Sequence, residues 1–295
     1  MLEAGVWNLR GPRQVLHAPA PDDFGRVIAY FRRGTGAPLV LLHGVGLRAD
    51  IWAPQVNALC ESFDVIAMDM LGHGASSLPP RGAALDDFSS QVEALLDGLA
   101  LDAAHLAGHS MGGLVALDFA IRHPARTVSL TALNPVYERN PEQRQAVAER
   151  AAALREDGPA PVAAATIARW FGNPAPERLA PYAIAVRAML ESVDPAGYAR
   201  SYRVFASIDN ISRDRLRQLA VPCAFMTGEL DPNSTPQMCA ALASRVQNGR
   251  CDIIPGERHM MALTSPEAVN TRLFDFLSNV ARSGAVRTHD EARQT

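Results

Sequence analysis

The segment Gly108-His109-Ser110-Met111-Gly112 sets a serine midway between two glycines. It joins an apolar run, AHLAGHS (104–110), to an amphipathic stretch, MGGLVALDFAIRHP, so a strand is expected to run straight into a helix. A serine on so tight a turn takes strained backbone angles, and only small residues two positions away on each side avoid collision. The turn pushes Oγ out of the sheet, and the helix N-terminus behind it offers free N–H groups to an anion. The chemistry implied is nucleophilic attack by Ser110.

A serine hydroxyl needs a base to take its proton. Of the eight histidines, His17 and His289 fall in expected tails, His105 begins a strand, and His123 ends a helix beside Pro124. His109 adjoins the serine but must point away from Oγ. His43 and His73 lie in glycine-rich loops, where a histidine more often satisfies local backbone groups. His259, in PGERHMMALTSPE, follows the last strand, where the order serine, acid, histidine needs its base. Asp231, in TGELDPNSTP, lies just past an earlier strand, at the carboxyl edge where parallel sheets assemble their sites. There it would fix the histidine tautomer and stabilise the imidazolium. Glu229 is the rival, two residues away; Asp231 is preferred because Pro232 follows it in a turn. The preceding strand offers no acid, since it ends in Asn134.

Acyl transfer also needs donors for the tetrahedral oxyanion. The Met111 backbone N–H is one. The second is expected from the loop His43-Gly44-Val45-Gly46, as the Val45 N–H. Gly44 and Trp170 are the expected substrate contacts, and no metal is called for.

These residues require a particular frame. PLVLLHG (38–44), FDVIAMD (63–69), AHLAGHS (104–110) and TVSLTALNP (127–135) read as buried strands, with helical stretches at 49–60, 86–100 and after Ser110. Such alternation signals βαβ units and a mostly parallel sheet. From about 136 to 213 the strands stop. Helical segments follow, broken by Gly158-Pro159, Pro174, Pro176, Pro181 and Pro195, and four of the five tyrosines lie among them. This insertion reads as a cap whose aromatics either pack it onto the core or, for Trp170 or a neighbouring aromatic, face the site. Its arginines read first as solvated helix faces; pairing with a substrate carboxylate is the other reading, for them and for Arg258. The α/β pattern resumes at 221–229, with a helix near 236–247, a strand at 250–255 and a last helix at about 265–280. The expected organisation is a core of 25–135 and 214–280, a cap of 136–213, and a frayed tail of 281–295.

The formal net charge of −3 argues against nucleic acid or an anionic membrane surface as partner. The segment MLEAGVWNLRGPRQVLHAPAPDD lacks the apolar core of a signal peptide, and no apolar run is long enough to span a bilayer. The four cysteines are scattered without metal-type spacing, as in a reduced compartment. A cytoplasmic protein, monomer or homodimer, is expected, and the Ala- and Arg-rich, Lys-poor composition points to a bacterial source.

Five blocks in order, LLHGVG (41–46), DMLGHGASS (69–77), GHSMGG (108–113), GELD (228–231) and GERH (256–259), make the chain resemble the α/β-hydrolase superfamily along nearly its whole length. The resemblance implies an eight-stranded, mostly parallel sheet flanked by helices, a helical cap inserted after strand six, and no cofactor. Serine at 110 is unlike the aspartate of the dehalogenase and epoxide-hydrolase branches. The stretch GVGLRADIWAPQVNAL with FDVIAMDMLGHGAS is most similar to small carboxylesterases and enol-lactonases. Hydrolysis of a small ester or lactone is therefore expected. The alternatives are carbon–carbon hydrolysis of the meta-cleavage-product type, against which Gly46-Leu47-Arg48 and Met260 count, and a non-catalytic ligand receptor on the same fold.

Overall fold

In the computed structural model, which describes residues 9, 11–18, 26–157, 163–208 and 211–291 (283–291 by backbone alone), the apolar runs become the centre of one sheet. Its strands are β1 (Gln14–Ala18), β2 (Arg26–Arg33), β3 (Ala37–Leu42), β4 (Phe63–Met68), β5 (Ala104–His109), β6 (Thr127–Leu133), β7 (Cys223–Gly228) and β8 (Gly249–Ile254). They stand in the order β1-β2-β4-β3-β5-β6-β7-β8. β2 is antiparallel to both its neighbours and every other pairing is parallel. Every residue of β4, β5 and β7 is buried, which is why they read as unbroken apolar runs rather than alternating ones.

Helices α1 (Ala53–Leu59), α2 (Leu85–Gly98) and α3 (Met111–Arg122) connect the first strands, and α3 packs on β5 and β6. Between β6 and β7 the chain leaves the sheet for α4 (Pro141–Ala152), α5 (Ala163–Phe171), α6 (Ala180–Ser192) and α7 (Pro195–Ser207), then returns through α8 (Arg213–Gln218). Within this insertion α4 packs on α7, and α5 on α6. Prolines begin α4 and α7 behind Asn140 and Asp194, whose side chains cap the helices by accepting from Gln143 and Gly197 N–H. Helices α9 (Pro236–Arg245), α10 (Met261–Thr264) and α11 (Pro266–Glu291) complete the fold.

Two boundaries differ from the pattern-based expectation. The sheet begins at Gln14, not near residue 25, and His17 belongs to β1 rather than to a tail. β1 is a short, mostly exposed edge strand, so it carries no apolar run to betray it. β2 carries arginines at both ends, one of which, Arg32, forks onto Asp64 of β4 at 2.6–3.0 Å. At the other end α11 extends to Glu291, past the expected stop at 280. A helix already nucleated on the core propagates at little cost, and Gly284 is the lone strong breaker in the extension. The Gly158-Pro159 break, residues 292–295 of the expected tail and the His289 side chain lie outside the described residues. Among the described residues no helix is long and apolar enough to cross a membrane.

Candidate active site

Sheet register brings three loops to one edge. Leu42 of β3 pairs with Gly108 of β5, and His109 of β5 with Leu133 of β6, so the loops leaving β3, β5 and β6 emerge side by side. Ser110 sits at φ 54°, ψ −117°, between β5 and α3. A non-glycine residue held there costs of order 1–3 kcal/mol and persists only where its surroundings over-determine it. Here its N–H donates to the Leu133 carbonyl at 2.8 Å. A Cβ on Gly108 would lie 2.1 Å from the Gly112 oxygen, and one on Gly112 would lie 2.2 Å from the Leu42 oxygen. Both collisions are with backbone, so the glycines are a steric requirement of the turn.

The loop after β3 is shaped by two neutral histidines. His43 Nδ1–H donates to the Gly44 carbonyl at 2.8 Å, and its Nε2 accepts the Met70 N–H at 2.9 Å. His73 Nδ1–H donates to the Leu71 carbonyl, and its Nε2 accepts the Gly46 N–H at 2.8 Å. Burial pushes both pKa values down, to about 4 and about 3 respectively. With Gly46 held by His73 and Leu47 N–H bonded to the Gly44 carbonyl, the Val45 N–H is left without an acceptor among the described residues. The Met111 N–H, first in α3, is likewise unpaired. Gly44 does not line the adjoining cavity, contrary to its expected place among the substrate contacts. Its missing side chain serves close approach instead: a Cβ would lie 3.0 Å from His109 Nδ1 and 3.3 Å from Ser110 Cβ.

Asp231 and His259 meet at 2.7 Å between Oδ2 and Nδ1, both buried. Asp231 also accepts from Asn134 Nδ2 at 2.8 Å and from the Asn233 N–H at 2.9 Å. Burial alone would raise its pKa; the His259 charge, then the hydrogen bonds from His259, Asn233 and Asn134, outweigh burial and hold it below the ordinary carboxylate value. The rival Glu229 is exposed and accepts the Gly256 N–H instead. His259 lines one cavity with Ser110 and Val45. Among the described residues no direct hydrogen bond joins Ser110 to His259, and such pairs commonly tighten only once substrate is bound.

That cavity, of about 240 Å³, is roofed by the inserted helices. Trp170 of α5 stacks on the His259 ring at 5.3 Å between centroids, tilted by 29°. Tyr198 and Tyr202 of α7 line the same space. Arg258, by contrast, does not line the cavity; its Nε lies near Gly172.

Two residues of the site escape sequence reasoning. Asn134, at φ 51°, directs its amide onto Asp231, a conformation that asparagine tolerates better than most residues. His109 donates Nε2–H to the His259 carbonyl at 2.8 Å and so ties the histidine loop to the serine turn. Burial pushes its pKa down to about 3, which keeps it neutral. Neither role has a local signal, since each depends on a partner about 100 or 150 residues away.

The fold and this edge of the sheet define a class. Residues 39–272 match the Alpha/beta hydrolase family, and the chain belongs to it; it is a hydrolase of the α/β type. Over 248 residues it is 38% identical to (E)-2-((N-methylformamido)methylene)succinate hydrolase of Acinetobacter baylyi, covering 83% of this chain and 92% of that protein. Among solved structures it is similar to a thermophilic esterase from Thermogutta terrifontis, crystallised with malate bound (TM-score 0.81, 27% identity, 92% of this chain and 99% of that one). It is also similar to the enol-lactonase from Burkholderia xenovorans (TM-score 0.78, 27% identity, 86% and 97%).

Proposed function

We propose that this hydrolase cleaves a small carboxylic ester or lactone through an acyl-enzyme on Ser110, with His259 as general base and Asp231 as its orienting carboxylate. The observation that carries the reading is the buried 2.7 Å Asp231–His259 pair opening on the same cavity as a serine at positive φ. Asp231 leaves Nδ1 protonated, so Nε2 is the free base. It takes the Oγ proton as Oγ bonds to the carbonyl carbon, and the carbonyl oxygen gains negative charge facing the unpaired Val45 and Met111 N–H groups. The intermediate collapses, the bond to the leaving oxygen breaks, and His259 returns the proton to that oxygen. Water, deprotonated by His259, then repeats the sequence on the acyl carbon and frees Ser110. Trp170 covers the imidazole and would border the substrate.

A fluorophosphonate probe should label Ser110 alone, and turnover of a short aryl ester should fall by roughly 10⁴-fold or more in Ser110→Ala. Labelling elsewhere, or unchanged turnover, would refute the assignment. Tight ligand binding with no turnover of any ester, lactone or dienone would favour a receptor. A second reading has one observation behind it: the 38%-identical relative is named for an N-methylformamido compound. The same groups would then cut an amide-type bond, and a matched ester and N-formyl enamine pair separates the two readings by their kcat/KM.

A further inference from the structure

Three arginines, Arg139, Arg150 and Arg169, line the cavity that holds Ser110 and His259, and no carboxylate of the described residues lines it with them. They differ in how they are occupied. Arg139 is committed to the fold, donating to the Ile208 and Phe205 carbonyls and lying over the Phe205 ring. Arg150 of α4 spends Nε on the Tyr202 hydroxyl at 2.8 Å, and Arg169 of α5 spends one terminal nitrogen on the Thr166 hydroxyl at 2.9 Å. No acid among the described residues lies within ion-pair distance of either.

The insertion does not lack acids. Glu156 pairs with Arg200 and Arg203, Asp157 with Arg155, and Glu191 with Arg187, all away from the cavity. Two like charges left together without a counter-ion in a half-buried wall destabilise the fold unless something else neutralises them. Burial, and then the Arg150 charge, hold Arg169 below the ordinary arginine value. Each guanidinium keeps free donors in the fork geometry that suits a carboxylate.

We infer that Arg150 and Arg169 form a carboxylate-binding subsite facing Ser110, so that the substrate is an anionic ester or lactone carrying a free carboxylate apart from the bond that is cut. This deepens the proposed function and rests on it for the identity of that bond. Binding of the carboxylate would seat the acyl carbon against Ser110, with Tyr202 holding the Arg150 fork in place.

The test uses two readouts on the full-length chain. The first is the ratio of kcat/KM for 4-nitrophenyl hemisuccinate to that for 4-nitrophenyl butyrate, which differ chiefly in the terminal carboxylate. The ratio should exceed about ten in the wild type and fall about tenfold or more in Arg150→Gln or Arg169→Gln. Arg169→Lys, which keeps the charge without the fork, should recover part of it. The second is calorimetric binding of succinate to Ser110→Ala, which should weaken in the same arginine variants. Turnover of both esters at a ratio near one, with no succinate bound, overturns the subsite and leaves the serine-hydrolase reading standing. Arginine-dependent succinate binding without turnover of either ester supports the subsite and overturns ester cleavage. Equal loss on both esters in all three variants, with Arg169→Lys no better than Arg169→Gln, assigns the arginines to packing and overturns the subsite.

Discussion

The floor and the roof of the cavity are built on opposite terms. On the floor, formed by the end of β5 and the loops after β3, β4, β5, β6, β7 and β8, most polar groups have a partner, and burial holds the histidines His43, His73 and His109 neutral. Among the described residues the groups left free there include the Val45 and Met111 N–H donors and the His259 Nε2, with His109 Nδ1, Asn134 Oδ1 and Asn233 Nδ2 buried behind them. In the roof, formed by α4, α5 and α7, charge is abundant and two arginines have no acidic partner among the described residues. The floor thus fixes atoms that any acyl transfer would need, whatever the acyl group. The roof carries features that would distinguish one substrate from another.

The sharpest way to break this contrast is acid. His43, His73, His105 and His109 have an ordinary pKa of 6.5, and burial lowers it in the fold to about 4, 3, 4 and 3. Between those values the unfolded chain binds protons that the folded one refuses. Stability therefore falls as pH drops below about 6.5 and goes on falling until the folded values are reached. Each histidine should withdraw about 2 kcal/mol by pH 5, and four together rival a typical net stability of about 5–15 kcal/mol. All four lie in the sheet or its loops. A scan of Tm against pH should show steep loss from pH 6.5 to 5 with proton uptake on unfolding; a flat profile would mean the histidines are not held neutral.

A smaller effect tests how the floor is held. Asn134→Ala removes one donor from Asp231 and leaves the His259 contact in place. Loss of a hydrogen bond to a charged group should lower kcat by about tenfold. Because that bond helps keep the Asp231 pKa low, its loss should also move the acid limb of the kcat/KM profile to higher pH. A fall in kcat with the limb unmoved would make Asn134 a packing residue only.

The same contrast explains what could be read from the chain. Gly108 and Gly112 are legible because steric collision with the backbone leaves no other residue type, so the requirement is written locally. His259 and Asp231 are legible through strand order, which the apolar runs reveal. Gly44, expected as a substrate contact, instead makes room for the serine turn, which only the packing shows. Asn134 and His109 stay silent because their partners are distant in sequence. The roof is hardest. Arg187 does occupy a solvated helix face and Arg155 an exposed turn after α4, whereas Arg150 and Arg169 face the cavity, and all four look alike to the sequence pattern in so charged a segment.

The least effect is expected where the roof is tied to itself. Glu156 accepts Arg200 at 2.9 Å and Arg203 at 3.1 Å, with Arg81 at 3.7 Å, joining the turn after α4 to α7 and to the loop before α2. Arg81 and Arg203 are well exposed and Glu156 keeps about a quarter of its side chain in contact with solvent, so much of this attraction is screened by salt and worth little to global stability. Glu156→Gln should accordingly leave Tm nearly unchanged. Hydrogen exchange should still quicken in α4 and α7, because local opening needs far less free energy than unfolding the sheet. High salt on the wild type should have the same effect on those helices, while amides of β3 to β7 stay protected in both cases. Equal acceleration in the sheet would mean that roof and floor open as one unit, and the division of labour drawn between them would have no separate physical basis.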